Sequence, residues 1–228
     1  MNKSASKRGR AGRPVNANPQ QQREKIVSAA LAEFSQRGFA GSSLRTIASQ
    51  AGVAHGLIRH YFQSKEDLFR AAADFLFGEM ADTLEQSAAQ ASSKGPLEQL
   101  ALQIRSYVSL SARLPHMAGF LMQAGLDGGE HFQYVINTYV RPLQALSLIP
   151  YQQAVAEGLL RDMNPDFVFL IATHAATAPF ANIALRQVMA DAQANDAAQI
   201  EAYAETLITV LLSGSLTEKG REQFKPSR

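Results

Sequence analysis

The 228-residue chain contains no cysteine, so disulfides and thiolate metal sites are excluded and a reducing compartment is expected. No apolar run approaches the roughly 20 residues of a membrane-spanning helix. The basic N-terminus is not followed by the apolar stretch of a secretory signal. A cytoplasmic protein without membrane association is therefore expected. Strand-like alternation and internal repeats are missing. So are catalytic constellations. The five histidines, at 55, 60, 116, 131 and 174, lack metal-ligand spacing, and no paired carboxylates sit at helical spacing on an apolar face. No phosphate-binding glycine loop precedes a helix. An enzyme and a bound cofactor or metal have no support in this sequence.

What is present is a globular composition, 46% hydrophobic against 18% charged. The length suffices for a sizeable core, in one large domain or two small ones. The net charge of +2 hides an asymmetry: residues 1–69 carry 11 Lys/Arg and 4 Asp/Glu, and residues 70–228 carry 11 and 16. A basic head on an acidic body fits a chain that meets a polyanion at one end.

Periodicity predicts an all-α chain of about nine helices. Residues 1–19 form a disordered basic arm, rich in Gly and Pro. Ile26, Val27, Ala30, Leu31 and Phe34 mark a first helix that stops near Gly38. Ser43 caps a second, with Thr46 at its third position, and Ser64 with Asp67 opens a long helix to about Ala89. Pro96 starts a helix ending near Arg113, broken at Leu114-Pro115, and a short segment to Gly125 follows. Asp127-Gly128-Gly129 separates this from a helix to about Gly158, kinked at Pro142 and Pro150. Residues 166–188 and 197–212 complete the set, and 215–228 is expected to be a flexible tail.

The most informative stretch is LRTIASQAGVAHGLIRHYF, residues 44–62. Ile47 and Ala48 close a first helix, Ala51, Gly52 and Val53 form a turn, and Ile58 lies within a second helix. Ala48 is small where two helices cross, and Gly52 supplies the positive φ of a tight turn. Val53 and Ile58 bury against Ile47. This spacing is that of a helix-turn-helix, whose second helix enters the major groove of DNA.

GFAGSSLRTIASQAGVAHGLIRHYFQSKEDLF, residues 38–69, resembles the N-terminal domain of TetR-family transcriptional regulators, and the body, including Arg141-Pro142-Leu143, resembles their C-terminal domains more loosely. The resemblance implies a three-helix DNA-binding head at 20–66 and an effector-binding and dimerisation body at 67–214. It further implies a homodimeric repressor that binds double-stranded DNA and is released by a small-molecule effector. An architectural DNA-binding protein without an effector remains the alternative.

His55, Gly56 and Leu57 occupy the first turn of the recognition helix, where base edges are reached. Leu57 suits a thymine methyl or simple packing. Arg59 stands where the family usually has Tyr; it can bind a phosphate, pair with guanine O6 and N7, or stay solvated. His60 and Tyr61 precede a core Phe62 at positions of backbone contact. Lys65 opposes the macrodipole in the first turn of its helix, a conflict that a bound phosphate would resolve. Ser43, Arg45 and Thr46 fit the clamping of the other strand. Lys7, Arg8, Arg10 and Arg13 suit an arm in the minor groove or a solvated tail. In the body, Tyr107, Met117, Phe120, Gln123, Tyr134 and His174 are candidates for an apolar pocket with a few orienting groups, each also explicable as core. The apolar surface of 166–188 and 197–212 suits a four-helix homodimer interface, and such a dimer matches a palindromic operator.

Overall fold

The computed structural model describes residues 18–182, 188 and 196–224. Residues 1–17 of the arm expected at 1–19 and residues 183–187 of the 166–188 segment lie outside the described residues, while Asn18 and Pro19 begin the first helix. Twelve α-helices follow one another among those described. The head comprises α1 (Pro19–Gly41), α2 (Leu44–Ala51) and α3 (His55–Tyr61). The body continues with α4 (Lys65–Gln90), α5 (Pro96–Arg113), α6 (Met117–Asp127) and α7 (Glu130–Val135). After a π-helical turn (Ile136–Val140) come α8 (Arg141–Ser147), α9 (Ile149–Ala156), α10 (Pro165–Ala181), α11 (Ala197–Ser215) and α12 (Glu218–Gln223).

The helix starts follow from capping chemistry. The side chains of Asn18, Ser43, Ser64, Asn164 and Asp196 each accept a backbone N–H of the first turn that follows. Proline opens α1, α5 and α10, where its missing N–H is of no consequence. The expected single kinked helix after Gly129 is instead three helices. Pro142 cannot donate to the carbonyl one turn back and its ring crowds that carbonyl, and the chain widens into the π turn just before it. Pro150 coincides with the second break, at Leu148. The short segment expected to end at Gly125 runs on to Asp127, where Gly128 adopts the left-handed conformation.

No linker divides head from body, since α4 begins in one and ends in the other. Its buried Leu68, Phe69, Ala72, Ala73, Leu76 and Phe77 join a core that includes Ile26, Phe34, Ile47 and Ile58 from the head and Met117 and Phe120 from α6. Two smaller cores complete the body, one around Leu97, Tyr151, Leu160 and Leu216, the other around Val108, Ala176, Phe180 and Leu207.

The tail expected at 215–228 is a correction. Ser215 and Leu216 are buried, and Leu216 pairs as a short antiparallel bridge with Leu160. Thr217 caps α12 and also donates its hydroxyl to Gly158 O at 2.7 Å. Phe224 packs against the core containing Leu97. Leu216 and Phe224 are apolar anchors in a polar stretch, which composition alone conceals. Residues 225–228 lie outside the described residues.

Candidate nucleic-acid interface

The turn of the motif is built as its spacing requires. Gly52 has φ 66° and ψ 32°, a left-handed conformation that L side chains rarely adopt, and it ends α2. The N–H of Val53 then returns to Ala48 O at 3.0 Å. Ile47, Ala48, Ile58 and Phe62 are buried beneath the motif. With its underside fixed, α3 presents His55, Gly56, Arg59 and His60 to solvent, and Leu57 is half-buried.

The neighbouring groups complete one polar face. Arg45 is exposed on α2, and Ser43 Oγ accepts from Thr46 N at 3.1 Å while lying 2.8 Å from Thr46 Oγ1. Both hydroxyls thus already serve the cap and retain lone pairs. Tyr61 donates its hydroxyl to Gln22 at 3.3 Å, and the Arg23 guanidinium lies 5.5 Å from the Phe62 ring centre. Gln22, Arg23 and exposed Lys25 therefore place the start of α1 beside the end of α3. Nothing in the motif spacing pointed to these three residues; their signal was the polar side of the first helix.

Lys65 differs from its expectation. Its ammonium donates to Ser42 O at 2.7 Å and lies 4.5 Å from the Phe39 ring centre. The conflict with the helix dipole thus has a resolution within the protein, in a carbonyl and an aromatic face. A second internal pairing fixes α2 on α1. Glu33, only 1% exposed, accepts from Gln50 Nε2 at 3.0 Å and faces Arg37 Nε at 3.5 Å.

The head is gripped by the body at the break in α1. Gly38 leaves helical geometry at φ 67°, and Asp127 of α6 accepts from Phe39 N at 3.3 Å. Gln123 reaches Gln36 O at 3.5 Å. The Ser35 hydroxyl donates to Ala32 O and lies 3.3 Å from His116 Nδ1, and burial lowers the pKa of that imidazole. His131 stacks on Phe39 with ring centres 3.8 Å apart.

Four of the six pocket candidates meet at one core, where Tyr107 and Tyr134 pack against the cluster that buries Met117 and Phe120. Met117 and Phe120 are wholly inside the core shared with the head, where Phe120 stacks on Phe69. Gln123 belongs to the α1–α6 seam just described. Tyr134 lies 2.9 Å from the Tyr139 hydroxyl, which donates to Asp74, and the Arg70 guanidinium sits over its ring. His174 is exposed on α10, its Nδ1 2.8 Å from Leu170 O. Helical spacing placed these residues on apolar faces without revealing which face each helix turned to which neighbour. Tyr107 alone of the six also packs against the core of α5, α10 and α11.

Comparison with known proteins agrees with this geometry. The family model for bacterial regulatory proteins of the tetR family matches residues 26–72. The model for the tetracyclin repressor-like C-terminal domain matches residues 94–221. The HTH-type transcriptional regulatory protein RaaS of Mycobacterium tuberculosis is 36% identical over 117 residues, covering 47% of this chain and 53% of that protein. The chain thus spans about half the length of that relative. The HTH-type transcriptional repressor KstR2 of Mycolicibacterium smegmatis is 27% identical over 160 residues, covering 67% and 75%. The solved structure of the ketosteroid transcriptional regulator KstR2 of Mycobacterium tuberculosis shares the fold, with a TM-score of 0.64 at 20% identity over 86% of this chain and 96% of that one. With one family model on the helix-turn-helix and another across more than half of the chain, this protein belongs to the TetR family of bacterial regulatory proteins.

Proposed function

We propose that the protein is a homodimeric, cytoplasmic repressor whose two heads bind a palindromic operator and which a small-molecule effector releases. The observation that carries this reading is the recognition helix, exposed along His55, Gly56, Arg59 and His60 and anchored underneath by Ile58 and Phe62. A helix held from below with its first turn free can enter the major groove without unfolding anything. Arg59 contacts a guanine or a phosphate, and Ser43, Arg45 and Thr46 hold the backbone at the start of α2. Lys65 keeps unused donor capacity beyond Ser42 O and adds a phosphate contact at the edge of that face.

Dimerisation is supported by α10, where Phe167 is 63% and Ile171 58% exposed, and by Val210 of α11, 65% exposed. A second copy laid on these helices covers them in a four-helix interface and sets two heads about one helical turn of DNA apart. Effector control is supported by the path from body to head. A displacement of α6 or α4 acts on the α1 break through Asp127, Gln123 and His116, and on the recognition helix through α4 itself.

Selection of bound sites from random DNA tests the reading. A palindromic consensus, preferred strongly over bulk DNA, is the expected outcome. Arg59→Ala lowers operator affinity by roughly 1–3 kcal/mol without changing thermal stability. Equal affinity for all sequences, with salt dependence alone, would replace the repressor with an architectural DNA-binding protein.

A further inference from the structure

Helix α5 runs through the middle of the body, with α4, α9, α10 and α11 all packed against it. A helix so enclosed, in an interior filled to ordinary density, carries fully buried residues along its length. Residues 99–107 do not follow that rule. All nine are half-buried, none is fully buried and none is exposed, whereas Val108, Leu110 and Ser111 just beyond them are buried. Every face of these turns therefore keeps accessible surface while helices surround it. This run of incomplete burial extends about 13 Å along α5, at 1.5 Å per residue.

Tyr107 stands at one end of this stretch, where the core shared with the head meets the core of α5, α10 and α11. It lies deep enough for desolvation to push its phenol well above the usual tyrosine range. Its hydroxyl makes no hydrogen bond among the described residues and keeps some accessible surface. Apart from Ser106, which likewise makes no side-chain hydrogen bond among the described residues, the polar groups of the surrounding helices are largely committed. The Tyr203 hydroxyl donates to Ala175 O, Thr173 to Phe169 O, and Gln103 to Ser147 O. Arg105, the one charged side chain of the stretch, donates to Glu201 at 2.7 Å and also pairs with Glu205. Around these groups the surface is apolar, from Leu100, Ile104, Val168 and Phe169.

We infer that the space around α5 takes an uncharged, largely apolar ligand carrying a hydrogen-bonding oxygen, and that the Tyr107 hydroxyl donates to that oxygen. An ionised head group would surrender its water and find no free counter-charge on this stretch, because Arg105 is already neutralised. A neutral carbonyl or ether oxygen loses less on desolvation and satisfies the idle Tyr107 donor. The inference rests on the effector-gated reading above and gives its effector a chemical class.

The test uses the purified full-length chain with 1-aminoanthracene as a neutral fluorescent reporter. Displacement is measured with 2-decanone, decanoate and decylammonium at pH 7. The ketone should displace the reporter at a concentration at least tenfold below either ion. Tyr107→Phe should weaken the ketone about threefold to tenfold, with an unchanged melting temperature. Ile104→Trp should fill the space and abolish ketone binding in a protein that still melts cooperatively. Displacement by decanoate as good as that by the ketone overturns the inference. So does ketone binding within twofold of wild type in both variants, or no ketone binding up to its solubility limit. Operator selection with the ligand-free chain is scored separately. Intact DNA selectivity with failed ketone binding rejects this inference alone, whereas ketone binding without operator selectivity rejects the regulator reading.

Discussion

In the head, Ile26, Ala30, Ile47 and Ile58 are each completely buried, whereas nine successive residues of α5 in the body all keep part of their surface. The head's helix starts are capped by Ser43 and Ser64, and Glu33 takes one bond from Gln50 and an ion pair with Arg37, although its buried Oε1 makes no hydrogen bond. In the body, the half-buried Tyr107 phenol makes no hydrogen bond among the described residues. The difference matches two tasks. A reader of DNA geometry needs one fixed surface, and a close-packed core supplies it. A receptor needs space and an idle donor, both of which reduce packing, so they belong in the region that does not have to match the operator.

Replacing Ile58 by Ala should break the head most severely. Removal of a completely buried side chain costs about 2–5 kcal/mol, because the lost transfer energy and the remaining cavity add. Chemical denaturation measures the loss, and operator binding should disappear with it. The matching change in the body, Ile104→Ala, should cost about 1 kcal/mol or less, since that side chain is half-buried beside existing space. Equal costs for the two would abolish the contrast.

The seam between the regions comes next in size. A Cβ on Gly119 of α6 would lie 2.8 Å from Ser35 O, a backbone atom that cannot swing aside. Overpacking of about 1–3 kcal/mol outweighs the gain of up to about 1 kcal/mol from replacing a helical glycine. Gly119→Ala should therefore lower the melting temperature and alter operator affinity. At Gly78 of α4 nothing lies within 4 Å of the added carbon, so Gly78→Ala should instead raise stability by about 0.5–1 kcal/mol. A common sign for both would remove the close approach from the explanation.

Ser64→Ala tests the helix that belongs to both regions. Loss of the bond from Asp67 N to Ser64 Oγ should cost about 1 kcal/mol in thermal or urea unfolding. The smallest effect is expected from acid. Burial lowers the pKa of His116, so below about pH 6.5 the unfolded chain binds a proton that the folded one resists. Stability contributed by the neutral imidazole is thus present above that pH and lost as pH falls through the folded value. His116→Gln should flatten that part of the stability profile.

Much of the head was legible in the sequence because its instructions are local. Gly52 sets the turn, Ser43 and Ser64 set the helix starts, and Ile47, Ile58 and Phe62 recur at the spacing of one buried side. Lys65 was legible only as a conflict, since both its partners, Ser42 O and the Phe39 ring, depend on how the loop folds back. What each of the six pocket candidates packs against was not legible for the same reason. A tyrosine or methionine on an apolar face has the same spacing whether it fills a core, as Met117 does, or lies at a helix seam, as Tyr134 does.

The sequence by itself determined the helices, their caps and the helix-turn-helix, because each depends on chain neighbours a few residues apart. Only the tertiary structure decided that α6 grips the break at Gly38, that Leu216 and Phe224 dock the C-terminal segment, and that nine successive residues of α5 stay half-buried among four neighbouring helices. Those outcomes depend on contacts between residues up to about a hundred positions apart, where the shapes of several helices must be summed before it is known which space remains.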